Sequence, residues 1–359
     1  MWLGKFGMTK IPNEWSAPTK PSAWVSGTSQ VERVLNFYKP VFLTGVDKIK
    51  VGDYLMNKIQ GWIRDGGIMK TITCGVGKSK EEIIGFILSY PDKFDTKELK
   101  VSVWKIPLII GRDEAVKKKL VQSLSWAVRL KQKSAKKKEV YLFTRIPSKD
   151  QETIEVLLEN GFIPIETLVT FGAAIDEVNW PSLYGSRQLV SESCPEGHFP
   201  NNLRLEISPP SFSDLKSIFR ISDESFSHSR FRNDPTLSLR SARRIYRSWL
   251  RTSFEKKRLL VARFSGVPIG FVSWDIDEGL KSFFGFAVGS IGLIAVAREF
   301  LGRKVGKQLF LSAVRAMKDK GAKYLTVGTQ LSNQSAINLY KSLGLKEKKS
   351  EVSLRKWLR

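Results

Sequence analysis

Cysteine and histidine are nearly missing from this chain: two of each occur among 359 residues. With only Cys74 and Cys194, a disulfide framework of the secreted kind is excluded, and no CxxC pair or Cys/His cluster offers a metal site. Long apolar runs are missing as well. The longest, Phe283 to Ala297, is broken by Gly285, Gly289, Ser290 and Gly292 and falls short of the roughly 18 residues a bilayer-spanning helix needs. It reads as buried strand, and no membrane span is expected. At the N-terminus Lys5, Lys10, Pro12, Glu14 and Pro18 interrupt any apolar stretch of the export-signal kind, so the expectation is a cytoplasmic protein. Acidic residues are scarce, 35 against 59 basic, leaving a net charge of +24. Such a charge suits nucleic acid, a membrane surface or a polyanionic small ligand. The basic residues are scattered over predicted helix faces, as at Lys117, Lys118 and Lys119, and the one dense block, Lys131 to Lys138, is short. A solvated basic surface is therefore preferred to a dedicated nucleic-acid site.

The apolar content of 42% is that of a globular protein, and the length exceeds one ordinary core of about 100 to 200 residues, so two units are expected. Residues 1–45, with Pro12, Pro18, Pro21 and Pro40 and no clear period, read as an irregular arm. Over residues 46–175 the patterning predicts helix (Asp53 to Arg64), strands (Met69 to Cys74, Ile83 to Ser89, Val101 to Ile110), helix (Asp113 to Lys131), strand (Val140 to Arg145), helix (Lys149 to Asn160) and strand (Ile163 to Gly172). Residues 176–203, with Pro181, Pro195, Gly197 and Pro200, read as a linker. Residues 204–359 repeat the plan: strand (Arg204 to Ile207), helices (Ser213 to Ile221, Leu239 to Thr252) and strands (Arg258 to Phe264, Ile269 to Asp275, Val288 to Val296) come first. Helix (Val305 to Lys320), strand (Tyr324 to Thr329), helix (Gln334 to Leu343) and a closing strand (Val352 to Trp357) follow. Ile84-Gly85-Phe86 can be laid on Ile269-Gly270-Phe271, and Asn160-Gly161-Phe162 on Leu343-Gly344-Leu345, which reads as an internal duplication. The expected class is α/β (α+β), two tandem domains, each a mixed, mostly antiparallel twisted sheet flanked by helices.

The residues that carry chemistry lie in the second half. A strand, Ile291-Gly-Leu-Ile-Ala-Val296, runs into Leu301-Gly302-Arg303-Lys304-Val305-Gly306-Lys307 and then an amphipathic helix with Leu309, Phe310, Ala313, Val314 and Met317 on one face. Glycines let backbone approach an anion, and the first amides of a helix have no carbonyl partner, so the turn can cradle a pyrophosphate. Downstream come Asn333, Ala336, Tyr340, Gly344 and Leu345. With that segment the chain resembles the GNAT superfamily of N-acetyltransferases, in which Asn-x-x-A-x-x-x-Y-x-x-x-G-F sets a tyrosine beside the thioester sulfur; Leu345 replaces the aromatic. The resemblance implies a tandem of GNAT-like domains with acetyl-CoA as co-substrate. It places the cofactor against Leu293, Ile294, Ala295 and Val296, the turn Leu301 to Lys307, Asn333 and Ala336. Backbone N–H groups near Leu293 to Val296 would polarise the thioester carbonyl. Tyr340 would be the general acid, because a phenol of pKa about 10 stays protonated at neutral pH and can give its proton to the departing thiolate. The turn departs from the family pattern, with Leu301 and Lys304 standing where Arg or Gln and a glycine are usual.

A narrower resemblance rests on Phe226-Ser-His-Ser229-Arg230-Phe231-Arg232-Asn-Asp234-Pro235, Tyr246-Arg-Ser-Trp249 and Gly328-Thr329-Gln330. It is similar to the dTDP-fucosamine acetyltransferase group, which implies a dTDP-linked amino sugar as the small-molecule amine acceptor. Arg230, Phe231, Asp234, Trp249 and Gln330 would contact it, and Arg230 and Arg232 would meet its phosphates. The base for the amine is not identified by sequence; Asp234 and Asp275 are candidates by neighbourhood. In the first half Leu157 stands in place of Tyr340, and the turn Ile110-Gly111-Arg112-Asp113-Glu114 puts carboxylates where a pyrophosphate would sit, so no CoA binding is expected there. The alternatives are another acceptor (a protein amine, an antibiotic or a polyamine), an aminoacyl-tRNA-dependent ligase, against which Tyr340 and Asn333 argue, and a non-catalytic RNA-binding protein on a decayed fold.

Overall fold

The computed structural model describes residues 48–75, 81–134, 139–180 and 205–359. The arm 1–45, most of the linker, and Cys194 lie outside the described residues. The first half runs α1 (Lys48–Arg64), β1 (Ile68–Gly75), β2 (Glu81–Pro91), α2 (Lys93–Leu99), β3 (Ser102–Gly111), α3 (Glu114–Ser134), β4 (Val140–Pro147), α4 (Gln151–Glu159) and β5 (Ile163–Ala174). The second half begins with β6 (Leu205–Ser208), α5 (Leu215–Ser225), α6 (Arg230–Asn233) and α7 (Leu239–Glu255). It continues with β7 (Leu259–Phe264), β8 (Val267–Asp277), α8 (Glu278–Phe284), β9 (Ala287–Val296), α9 (Val305–Asp319), β10 (Ala322–Gln330), α10 (Gln334–Ser342) and β11 (Lys346–Leu358). From α1 and from α7 onward the order of helices and strands is the same in both halves. The fold is α/β, built on a tandem plan. Helices α2, α6 and α8 did not show in the sequence, since seven residues or fewer hold too little of a helical period. Phe283 and Phe284, expected in a strand, end α8, and Gly285 at φ 75° turns the chain into β9.

The eleven strands of the described residues form one sheet in the order β1-β2-β3-β4-β11-β5-β10-β9-β8-β7-β6. The closing strands are exchanged. β5 ends the first half yet pairs with β10 of the second, β11 ends the second yet pairs with β4 of the first, and the two pair antiparallel with each other. Two compact units joined by a linker do not anticipate this, because alternation specifies a strand's faces and not its neighbours. The cores follow the exchange. Val169, Phe171 and Ala173 of β5 enter the core of the second half beside Leu309, Phe310 and Val314. Leu354 and Leu358 of β11 enter the core of the first half beside Leu120, Leu124 and Val128. Helices α3, α4, α9 and α10 cover this face of the sheet; α5, α6 and α7 cover the second half of the other face.

Local chemistry repeats where the sequence repeats. Asp150 and Asn333 cap α4 and α10, accepting from the N–H of Thr153 at 3.1 Å and of Ala336 at 3.2 Å. Gly161 and Gly344 end the same helices at φ 77° and 84°, and the next residue returns its N–H to Leu157 and to Tyr340 respectively. Gly85 and Gly270 sit where α3 and α9 press on β2 and β8. A Cβ at Gly85 would lie 2.5 Å from Val116 Cγ1 and 2.9 Å from the Ile110 carbonyl oxygen, and one at Gly270 would lie 2.9 Å from the Ala295 oxygen. Gly270→Ala is therefore expected to lower stability by about 1–3 kcal/mol through overpacking against backbone. Gly61→Ala, inside α1 with nothing within 4 Å of the new Cβ, is expected to raise it by about 0.5–1 kcal/mol. Thermal unfolding midpoints of the two variants, shifted in opposite directions, check this.

Candidate active site

β9 and β10 run parallel from Ala287/Ala322 to Ile291/Val327, with one register shift between Ala322 and Tyr324, and then part. β10 continues along β5, while β9 continues along β8 alone, through a bulge in which Gly292 and Leu293 stand opposite Ser273. Gly292 and Gly328 are exposed although both belong to interior strands, so an open cleft reaches the middle of the sheet between them. The Leu293 N–H is taken by Ser273 Oγ at 2.8 Å, and that of Ala297 by the Ile269 oxygen at 2.7 Å. By antiparallel alternation Leu293 and Ala295 direct their backbone groups at β8, leaving Ile294 and Val296 to face the gap. The sequence expectation of N–H groups near Leu293 to Val296 narrows to those of Ile294 and Val296, since the Leu293 N–H is taken. The free edge is two residues long and suits one more extended, amide-bearing chain.

Beyond Val296 the chain makes a short 3₁₀ turn, Arg298–Phe300, passes Gly302 at φ 77° and Lys304 at φ 58°, and enters α9. Lys304 gives α9 no side-chain cap, so the first amides, those of Val305, Gly306 and Lys307, are open to an anion. In the first half Asp113 Oδ1 accepts from the Val116 N–H at 2.9 Å, which closes the equivalent end of α3 and holds the Asp113 carboxyl below its usual range. A Cβ at Gly306 would make only ordinary contacts, 3.8 Å to Val296 and 3.9 Å to Leu339. Packing does not require glycine there, and its absence of a side chain keeps the amides accessible. Leu301 is 62% exposed, and Lys304 is exposed beside Arg303, whose guanidinium lies over Phe300. The edge at Ile294 and Val296, the uncapped α9 and the flanking cations fit a co-substrate that joins a pyrophosphate to an extended amide arm.

Tyr340, on α10, is 2% exposed between the rings of Phe171 and Phe310, centroids at 5.8 and 5.7 Å. Burial pushes its phenol well above the ordinary value, so it is a proton donor throughout the neutral range. Asn333 caps its helix and Ala336 packs against the same core, so both set where Tyr340 stands.

The opposite face of the sheet holds the expected acceptor residues. Arg230 donates to Asp95 Oδ2 at 3.1 Å, and its guanidinium lies 4.2 Å from the Phe143 ring and 4.4 Å from that of Phe231. Phe231 is buried, in edge contact with Tyr246 and Trp249, and Trp249 is half-buried and stacked on Phe94 of the first half. Asp234 does not line a cleft. Its carboxylate, fully buried, accepts from Tyr141 Oη at 2.7 Å and from the Thr236 N–H at 3.0 Å and faces Arg355 Nε at 3.3 Å, which makes it a strut between the halves. Arg232 is spent on the Asp223 carbonyl. Asp275 is paired on the surface with Arg258 and Lys256. Gln330, at the end of β10, reaches the carboxylate of Glu166 on β5.

Glu166 and Arg145 are residues the sequence did not single out. Arg145, on β4, donates from Nε to Ser353 Oγ at 3.2 Å, faces Glu166 Oε1 at 3.8 Å, and keeps a side chain 35% exposed. Burial, then repulsion from Arg230, lowers its pKa to about 10. Leu293 of the gap and Ile165 both pack against the apolar cluster that holds Phe143, Tyr246 and Trp249, so the seam and the gap share a wall.

Residues 215–345 match the acetyltransferase (GNAT) family. The chain is 24% identical over 278 residues to a spore coat polysaccharide biosynthesis protein of Bacillus subtilis (strain 168), covering 76% of this chain and 83% of that one. It is 32% identical over 116 residues to an uncharacterized N-acetyltransferase of Methanocaldococcus jannaschii, covering 32% of this chain and 49% of that one. Among solved structures, a GCN5-related glucosamine N-acetyltransferase region of a fungal multi-domain β-N-acetylglucosaminidase shares the fold, with a TM-score of 0.55 and 15% identity over 91% of this chain and 37% of that one. The second half is thus a GNAT N-acetyltransferase module, an acyltransferase whose co-substrate is acetyl-CoA. No helix among the described residues is long and apolar enough to cross a membrane.

Lys304→Asp would give α9 the acidic end that α3 has. It is expected to weaken acetyl-CoA binding at least about tenfold, from a lost cation and a gained like charge worth together about 1.4 kcal/mol or more, with stability unchanged or raised. Calorimetric titration beside a thermal melt checks both.

Proposed function

We propose that this N-acetyltransferase acetylates an amine on a sugar-derived small molecule, with a nucleotide-linked amino sugar such as a dTDP-linked one as the favoured acceptor and the cytoplasm as its place of work. The observation that carries the reading is the wall between the halves: the half-buried stacked rings of Phe94 and Trp249, backed by buried Phe143 and Tyr246, beside partly exposed Arg145 and Gln330 and the buried Glu166. Flat rings suit the C–H faces of a pyranose, and a partly exposed arginine suits a phosphate. The likeness to a polysaccharide biosynthesis protein over most of both chains, and the motif from Phe226 to Pro235, support the same class.

In this reading Val305, Gly306 and Lys307 hold the pyrophosphate with Arg303 and Lys304, and Ile294 and Val296 hold the amide arm. The bound thioester supplies the activated acyl group. Tyr340 gives a proton to the departing sulfur, helped by burial that keeps the phenol protonated. Arg230 and Phe231 shape the acceptor wall from behind, and Trp249 and Gln330 face the acceptor. The first half, with Leu157 in place of Tyr340 and Asp113 capping α3, is a degenerate copy that binds no CoA and serves as the acceptor wall.

Tyr340→Phe is expected to bind acetyl-CoA as the parent does while kcat falls about 10²–10⁴-fold, the range of a lost general acid. Calorimetry and thiol release over a panel of dTDP-amino sugars, free amino sugars, polyamines and peptides measure this. Release confined to polyamines or peptides would replace the sugar acceptor. No acetyl-CoA binding, together with a salt-dependent affinity for RNA, would overturn the enzymatic reading.

A further inference from the structure

Glu166 stands apart from every other carboxylate of the seam. Its side chain is 2% exposed, Oε2 has no hydrogen-bond partner, and Ser353 Oγ at 3.4 Å and Arg145 at 3.8 Å meet Oε1, with the Gln330 side chain beside the same carboxylate. Asp95 and Asp234 are also buried but are fully engaged by Lys105, Arg230, Tyr141 and Thr236. A buried carboxylate with one oxygen unspent is costly to fold and is a common mark of a working site. Its position is specific. On β5 it lies diagonally from Gln330, the last residue of β10, because Leu168 pairs with Gln330 and Leu331 donates to Thr167. Its neighbour Ile165 shares an apolar cluster with Leu293 at the start of the gap.

We infer that Glu166, supplied by the exchanged strand of the first half, is the base that takes the proton from the acceptor amine. This rests on the acetyl-transfer reading above. The amine arrives as R–NH3⁺; one N–H bond breaks, its electron pair stays on nitrogen, and the proton passes to Glu166, leaving R–NH2 and a neutral carboxylic acid. The nitrogen pair then forms the N–C bond to the acyl carbon of acetyl-CoA. The C–S bond breaks with its electrons on sulfur, which takes up a proton, and the amide nitrogen releases its second proton. Glu166 returns its proton to solvent, so one proton is released overall.

The groups that face Glu166 bias it toward this work. Arg145 from β4 and Arg230 from α6 favour its charged form, Gln330 from β10 and Ser353 from β11 stabilise it by hydrogen bonding, and burial outweighs them and lifts its pKa above the usual carboxylate range. Beyond these, Tyr246 from α7 stands within its field, Asp95 from α2 and Glu351 from β11 oppose Arg145, and Lys349 pairs with Glu351 at 2.9 Å. A raised carboxylate is the stronger base once ionised, and activity should climb as the pH rises through its pKa.

The test combines kinetics with binding on the full chain. In the parent, the ascending limb of the kcat/KM profile should stay at one pH for acceptors whose amines differ in pKa; a limb that follows the amine overturns the assignment without any variant. Glu166→Gln should bind acetyl-CoA with unchanged affinity by calorimetry, lose about 10²–10⁴-fold in kcat at pH 7, lose the limb, and recover part of the rate at high pH, where the amine is neutral. Glu166→Asp should retain part of the rate and the limb. Parent-like rates and pH profile in Glu166→Gln would show a merely structural carboxylate. Failure of the parent to acetylate any amine would instead overturn the proposed function, and this assignment with it.

Discussion

The exchange of β5 and β11 is the constraint on which the remaining features depend. A strand inside a sheet must find partners for its N–H and C=O groups along both edges. β5 finds them on β10 and β11, and β11 on β4 and β5, so each half of the chain completes the other's sheet and core. Because β5 pairs with β10 from Gln330 to Tyr324, the first half fixes the far wall of the gap between β9 and β10. The same strand sets Phe171 against the ring of Tyr340. The cleft in the second half therefore has its width and one side of its buried tyrosine determined by the first.

The halves keep the same scaffold and differ where charge matters. Gly85 and Gly270, Asp150 and Asn333, Gly161 and Gly344 do the same mechanical work at matching positions, since a close helix–strand approach, a helix start and a left-handed helix end have few chemical solutions. At the helix that follows the parting strands the solutions diverge. α3 satisfies its amides with Asp113, and α9 leaves them open beside Arg303, Lys304 and Lys307. In the first half Thr144 Oγ1 also bonds the Ile106 oxygen at 2.8 Å where β3 and β4 end their pairing, a tighter tie than the 3.4 Å between Thr326 and Gly289 in the second. One copy is stabilised at the place where the other is left unsatisfied, as expected when only one binds an anion.

Much of this was legible in the sequence because it is local. Val116, Leu120, Val121, Leu124 and Val128 recur at helical spacing and are buried together, and Gly85 and Gly161 stand in runs that match those of Gly270 and Gly344. What escaped is what depends on distant chain. Ile163 to Phe171 reads as one alternating strand whichever partner it has, so the exchange left no local trace. Glu166 stands on a strand whose alternation says nothing of its burial, and its neighbours Arg145, Gln330 and Ser353 come from three other strands. Asp234 sits in an attractive motif, but only the approach of Tyr141 and Arg355 separates a strut from a ligand-binding carboxylate.

The charges of the seam bear on why the first half persists. A wall between two halves is most cheaply made of apolar side chains, and replacing a buried ion pair with well-packed hydrophobes is often neutral or stabilising by about 1–4 kcal/mol. Here Lys105, Arg145, Arg230 and Arg355 meet Asp92, Asp95, Glu166 and Asp234 beside a set of aromatic rings that could have closed the wall alone. Three of those carboxylates have partners enough to account for their burial as structure. Glu166 does not, since Oε2 is unmatched and its neighbours fail to offset its burial. Folding alone would favour losing it. Its presence beside the end of β10 is accounted for if the site needs a carboxylate there, which makes the first half a contributor of chemistry to the second as well as its support.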